Sequence, residues 1–142
     1  MTHPSQGEPA LVWRIKGSLL GYVRGMPDGA VTIAGGAQET AEGFRFPATG
    51  QLSFGGSVTL TGHSGMMRVV IAEPSIVRTG DGWSLEIADT EAATGRLRFA
   101  ILAGFDGSRA TGTALTEEGA DLFFGPYTAG TPLDDPRILS AS

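Results

Sequence analysis

Phe54-Gly55-Gly56-Ser57-Val58-Thr59-Leu60-Thr61-Gly62-His63-Ser64-Gly65 decides the fold class. With the two residues before it, the run alternates. Leu52, Phe54, Gly56, Val58 and Leu60 fall on one side, and Ser53, Gly55, Ser57, Thr59 and Thr61 on the other. A period of two predicts a β-strand with one buried face and one polar or ligand-facing side. Gly62 and Gly65 then bracket His63. Glycine accepts positive φ and allows close backbone approach, so such a turn can carry an imidazole off the end of a strand. His63 is the single histidine outside the N-terminal segment. Read alone, a histidine that hydrogen-bonds its own loop accounts for it.

Outward from this run the same grammar repeats. Upstream, Leu11 to Lys16 alternates as a short strand, and Gly17-Ser18 breaks it. Ser18 reads as the N-cap of a short helix over residues 19–24 that stops at Gly25, with Pro27 beyond. Leu19, Tyr22 and Val23 share a face of that helix at spacings of three and four, which gives Tyr22 apolar neighbours. Residues 30–34 and 43–47 are further short strands between glycine-rich turns. Downstream, Met66 to Ala72 is apolar at almost every position and predicts a central strand covered on both sides. Residues 75–78, 83–87, 95–102 and 110–115 complete the strands, with turns at 79–82 and 90–95. Thr116 reads as the cap of a second short helix over residues 117–123, and Glu117 and Glu118 suit the positive end of its dipole. The expected fold is all-β: a sandwich-like arrangement of many short antiparallel strands with two short α-helices. Residues 1–9 read as a flexible N-terminal tail, 10–136 as one domain and 137–142 as a C-terminal tail.

Composition removes several functions. The chain has 142 residues, enough for one domain with a real core, and no cysteine. Disulfides, thiolate metal sites and cysteine nucleophiles are therefore excluded. A net charge of -5 disfavours nucleic acid as a partner. No apolar run is long enough to insert in a membrane, and the N-terminus lacks the charged and hydrophobic regions of a signal peptide. If the chain is complete, the expectation is a cytoplasmic protein. No metal-binding helix spacing, dinucleotide fingerprint or Walker loop is present. Gly-His-Ser-Gly is not a nucleophile elbow, since its serine follows the histidine in the wrong register. A triad of His63, a serine and Asp81 or Asp89 has only its residue types in its favour.

The blocks taken together resemble a known family. Trp13-x-Ile15-Lys16-x-Ser18-x-x-x-Tyr22, Gly35-Gly36-Ala37, Phe44-Arg45-Phe46-Pro47, Val58 to Gly65 and Glu73-Pro74 stand in the order of the HtaA domain. The ending Leu115-Thr116-x-x-Gly119-Ala120-x-x-Phe123-x-x-Tyr127-x-x-Gly130-x-x-Leu133-Asp134 continues the match. That domain is a haem-binding module of actinobacterial haem-uptake proteins. The resemblance implies a β-rich fold, a bound haem, and functional positions at Tyr22, His63 and Tyr127. The family usually has phenylalanine where Leu19 stands and an acid where Ser64 stands. Its members are typically secreted or membrane-anchored, often with several copies of the domain.

Residue chemistry agrees with what the resemblance implies. A tyrosine phenolate is one of few protein ligands that hold ferric haem axially. Free tyrosine ionises near pH 10, so a phenolate at neutral pH needs the iron's charge and a supporting neighbour. Tyr22 as the iron ligand, with His63 donating to its oxygen, is a coherent pair in a site for ferric haem b. Ser18, Lys16 and Arg24 are candidate propionate partners. Leu19, Leu20 and Val23 are a candidate porphyrin floor, with Met26, Met66 and Met67 as adaptable fillers. Tyr127 is expected to support the pocket rather than ligate. Haem carriage without turnover is the leading expectation, with no catalytic residue assigned and another haem carrier or a second copy of the chain as possible partners. A haem-degrading or peroxidatic enzyme lacks a second histidine for acid-base work. A β-sandwich interaction module with a vestigial haem site is the third reading.

Overall fold

The computed structural model describes residues 9–80, 82–89, 95–123 and 127–139. Expectations for both chain ends, for Asp81, for the connection at 90–94 and for Phe124 and the Gly125-Pro126 turn lie outside the described residues. The elements in chain order are β1 (Ala10–Trp13), α1 (Gly17–Gly25), β2 (Ala30–Ala34), β3 (Gln38–Thr40), β4 (Gly43–Gly50), β5 (Ser53–Phe54) and β6 (Ser57–Gly62). After a 3-10 turn at His63–Gly65 come β7 (Met67–Ala72), β8 (Ser75–Thr79), β9 (Gly82–Ala88), β10 (Arg96–Phe105), β11 (Ala110–Leu115), α2 (Glu117–Asp121) and β12 (Arg137–Leu139). Strand pairing between named strands is antiparallel throughout. The expected all-β class with two short helices is the observed one.

A large curled sheet runs β11-β10-β9-β8-β5-β4-β1-β12, with β3 added beside β4, and a small sheet runs β2-β6-β7. The large sheet closes on itself through residues 130–139. On one side β12 pairs with β1, Ala10 opposite Leu139 and Val12 opposite Arg137. On the other side Leu133 N–H donates to Thr113 O, Leu115 N–H to Thr131 O, and Ala110 N–H to Pro136 O. This strap satisfies the edge of β11 that would otherwise be open to pairing with another chain. Residues 137–139, expected to start a C-terminal tail, are thus part of the domain. Three residues are too few to show a period, and their partners lie at the opposite end of the chain.

The decisive run proves to be two strands. Gly56 takes φ 93°, where an added Cβ would lie 2.7 Å from that of Ala37. There the chain leaves the large sheet after β5 and enters the small one as β6. The inward phase survives the break, because Phe54, Val58 and Leu60 are all buried. They join one core with Trp13, Phe44, Phe46, Phe99, Val69 and Ile71, so the two sheets share a single interior. β7 is not the doubly covered central strand expected from its composition. It is an edge of the small sheet, with Met67, Val69 and Ile71 buried and Arg68 exposed.

Helix α1 starts one residue before its expected N-cap. Lys16 occupies the cap position without a side-chain cap, and the Gly17 N–H donates instead to Asp134 Oδ2 at 3.2 Å. The preceding turn is tight: Lys16 N–H donates to Arg14 O across Ile15, which is buried at φ 67°. A β-branched residue in that region carries strain on the order of 1–3 kcal/mol, so its surroundings must hold it. They do. Trp13 Nε1 donates to Asp134 O at 2.7 Å, and Asp134 N–H donates to Ile15 O at 2.9 Å. Helix α2 is capped as expected, Thr116 Oγ1 accepting from Gly119 N–H at 2.9 Å. Gly119 has no room for a Cβ against the Phe99 carbonyl, so α2 sits directly on β10. Among the described residues no helix is long and apolar enough to cross a membrane.

Trp13→Phe keeps an aromatic ring in the core but leaves the Asp134 carbonyl without its indole donor. The expected loss of stability is about 0.5–1.5 kcal/mol by urea denaturation, the net worth of one part-buried hydrogen bond. An unchanged midpoint would show that the clamp does not hold the Ile15 turn.

Candidate functional site

Helix α1 presents two unlike faces. Leu19 and Val23 are buried in the core, and Leu20 packs partly against it. Ser18, Gly21, Tyr22 and Gly25 are exposed and, at 100° per residue, fall in one stripe. A Cβ at Gly21 or Gly25 would meet nothing within 4 Å, so the ground on both sides of Tyr22 is open. Tyr22 itself is 52% exposed, unusual for so large a side chain on a helix that packs on a core. Of the expected porphyrin floor, Leu19 and Val23 face the interior and leave the stripe to the two glycines. Neither glycine was among the candidate site residues. Their signal in the sequence is the presence of helix-weakening residues one before and three after a tyrosine.

Tyr127 approaches from the other side of the chain. A line of aromatic rings leads to it: Trp13 edge-on to Phe99 at 5.9 Å, Phe99 tilted on Phe123 at 6.2 Å, and Phe123 edge-on to Tyr127 at 5.1 Å. Burial pushes the Tyr127 phenol above its ordinary 10.0, and the Tyr22 phenol pushes it further the same way. The two tyrosines are therefore within electrostatic reach. Lys16 Nζ lies 5.9 Å from the Tyr127 ring centre and donates to Pro132 O at 2.9 Å. Of the other candidate propionate partners, Arg24 is paired with Glu39 at 2.7 Å, and Ser18 is exposed at the start of α1.

The histidine turn sits against the far end of α1. The backbone of His63 opens the 3-10 turn, and its side chain lies outside what the structure describes. Positive φ falls at Ser64, 57°, and at Gly65, 88°, rather than at Gly62. Gly62 has the end of the Met26 side chain packed on it, so a Cβ there would have to displace Met26 Cε. Ser64 N–H donates to the carboxylate of Asp28, three residues past the last residue of α1, Gly25. Met66 beside the turn is 78% exposed, whereas Met67 belongs to the core. A groove of about 470 Å³ on the outer face of β10 and β11, lined by Arg98, Ile101, Gly112 and Glu118, includes none of the expected site residues.

Two measurements check this geometry. Tyr22→Phe leaves Tyr127 as the single tyrosine. Its phenol should titrate, by absorbance near 295 nm, above 10.0 but below its value in the parent, since burial remains and the Tyr22 charge is gone. Because the folded-state pKa is raised, the neutral phenol's stabilisation is complete below pH 10.0 and is lost as pH rises through the folded value. A midpoint at or below 10.0 would contradict the placement. Gly21→Ala, with open space for its methyl, should stabilise the unliganded protein by about 0.5–1 kcal/mol in thermal or urea unfolding.

The HtaA family model, described as Htaa, matches residues 8–138. The C-terminal domain of HtaA from Corynebacterium glutamicum superposes with a TM-score of 0.75 at 24% identity, over 92% of this chain and 94% of that one. The N-terminal domain of the same protein gives 0.72 at 20% identity, over 95% and 97%. The haem-binding protein HtaB from the same organism gives 0.71 at 18% identity, over 92% and 93%. At these identities the superpositions speak to the fold. No curated protein matches the chain. The family match spans the closed sheet up to its last residue but one, Ile138, with both helices and the histidine turn: the chain belongs to the HtaA family.

Proposed function

We propose that the chain binds ferric haem b through Tyr22, with His63 in support, and serves haem uptake, transfer or storage. The observation that carries this reading is the half-exposed Tyr22 on a helix face kept bare by Gly21 and Gly25, with Tyr127 in electrostatic reach. The similarity to a protein named as haem-binding points the same way. The donor set fits the group. Among the described residues no cluster of three or more acidic or histidine side chains could hold a bare metal ion. A porphyrin fills four positions of its iron itself, so the protein need furnish only an axial ligand. A phenolate favours ferric over ferrous iron, because the softer reduced metal gains less from an oxygen anion.

In this reading each chain residue has a simple task. Tyr22 supplies the oxygen, and the glycines beside it leave a planar ligand room to lie against α1. Ser18 and Lys16 stand at the start of the helix, where donors suit carboxylates. Tyr127, with its phenol held neutral by burial, supports the pocket by packing and a hydroxyl hydrogen bond. A half-exposed ligand suits exchange with another haem-carrier protein, and two chains per haem is the stoichiometry a shared site would give.

Hemin titration followed by optical and spin-resonance spectra tests the assignment. Tyr22→Ala should remove most ferric haem binding together with its phenolate-to-iron band. His63→Ala should weaken binding by about 10-fold to 100-fold and shift the spectrum without abolishing it, as expected for a group that orients a ligand. The double variant should be no worse than Tyr22→Ala alone. Tyr127→Phe should leave the band in place, and dithionite should weaken haem retention. Loss of the axial signature in His63→Ala with its survival in Tyr22→Ala would make the histidine the ligand.

A further inference from the structure

The helix that carries Tyr22 and the turn that carries His63 meet through a short segment that neither belongs to. Residues 26–29 leave α1 and pass directly beneath the turn. Met26 N–H donates to Val23 O at 3.2 Å and Gly29 N–H donates to Met26 O at 3.1 Å, so the segment is a folded turn fixed to the helix end. Met26 fills the space that a side chain at Gly62 would take, and Gly29 lies so close to the Val23 carbonyl that a Cβ would collide. Into this arrangement Asp28 places its carboxylate on the Ser64 N–H. Ser64 is the one non-glycine residue of the turn with positive φ, 57°, a conformation that an L side chain adopts reluctantly. A charge-assisted hydrogen bond to its amide is the kind of contact that holds such a conformation in place.

Resting on the haem reading above, we propose that Asp28 is a positioning residue of the haem site: it holds the His63–Gly65 turn to the segment that leaves α1 and so fixes the backbone from which the His63 of that reading acts. Nothing in the core requires it. Asp28 is exposed, and the neighbouring β2 and β6 are already paired over five residues, from Ala30 opposite Thr61 to Ala34 opposite Ser57. Its removal therefore frees the turn without opening the sheet.

The test compares Asp28→Ala, His63→Ala, the double variant and the parent, each loaded with hemin. Haem loss to an excess of apomyoglobin and the charge-transfer spectrum are read for all four. Asp106→Ala is a matched control. Its carboxylate likewise accepts backbone N–H groups, from Ser108 at 2.9 Å and Arg109 at 2.7 Å, but at the turn between β10 and β11. Asp28→Ala should lose haem about 10-fold faster than the parent, shift the spectrum toward that of His63→Ala, and add nothing when combined with it. Asp106→Ala should behave as the parent. Asp28→Asn keeps an acceptor oxygen in the same place without the charge and should fall between parent and alanine variant. A parent that shows no Soret band with hemin overturns the haem reading and this role with it. A parent that binds hemin, with an Asp28→Ala variant of unchanged release and spectrum, overturns the positioning role alone, even if its melting temperature is lower.

Discussion

Asp134 is the residue on which the rest of the site depends. Its carbonyl receives the Trp13 indole, its amide meets the Ile15 carbonyl, and its carboxylate takes the first N–H of α1. Each contact touches a different part of one sharp change of direction, where β1 stops and the helix begins. The strained Ile15 between them would relax if any of the three were missing. Relaxation there would loosen the start of α1, leaving it to the burial of Leu19 and Val23. The same strap of residues that brings Asp134 into place also closes the large sheet between β11 and β1. Sheet closure and helix placement thus rest on the same strap.

A carboxylate therefore anchors each side of helix α1, one from the distant strap and one from the segment that follows the helix. Asp134 fixes its start through the closing strap, and Asp28 ties its exit to the histidine turn. Between these points the buried face of Leu19 and Val23 sets rotation, so Tyr22 is directed outward by the packing of residues that do not touch a ligand. The aromatic line from Trp13 to Tyr127 adds a second route from the core to the same region, with α2 seated on β10 by Gly119. A site assembled from rigid neighbours in this way needs little rearrangement to accept a flat ligand.

Much of this was legible in the sequence, and the parts that were not share a cause. Alternation gave the inward residues of the decisive run correctly, because Phe54, Val58 and Leu60 keep their phase across the Gly55-Gly56 break. It could not show that the run changes sheets, since phase is local and sheet membership is not. The Thr116 cap was readable because its partner Gly119 is three residues away. The α1 cap was not, because Asp134 lies 117 residues on. β7 looked doubly buried because Val70 and Met66 are apolar, yet composition cannot distinguish an edge from a centre. Tyr22, Tyr127 and His63 were picked out through the family resemblance. Gly21, Gly25 and Asp28 carry no motif, and only the open space around the glycines and the Ser64 contact bring them forward.

In the proposed site a single exposed phenol, on a helix anchored at both ends, is where the haem iron attaches. A crystal structure of the hemin-loaded protein tests it most directly. The porphyrin should lie along the Ser18, Gly21 and Gly25 face with the Tyr22 oxygen bonded to iron, and with the Asp134 and Asp28 contacts intact. Iron bonded to His63 or Tyr127, or a porphyrin seated away from α1, would contradict it.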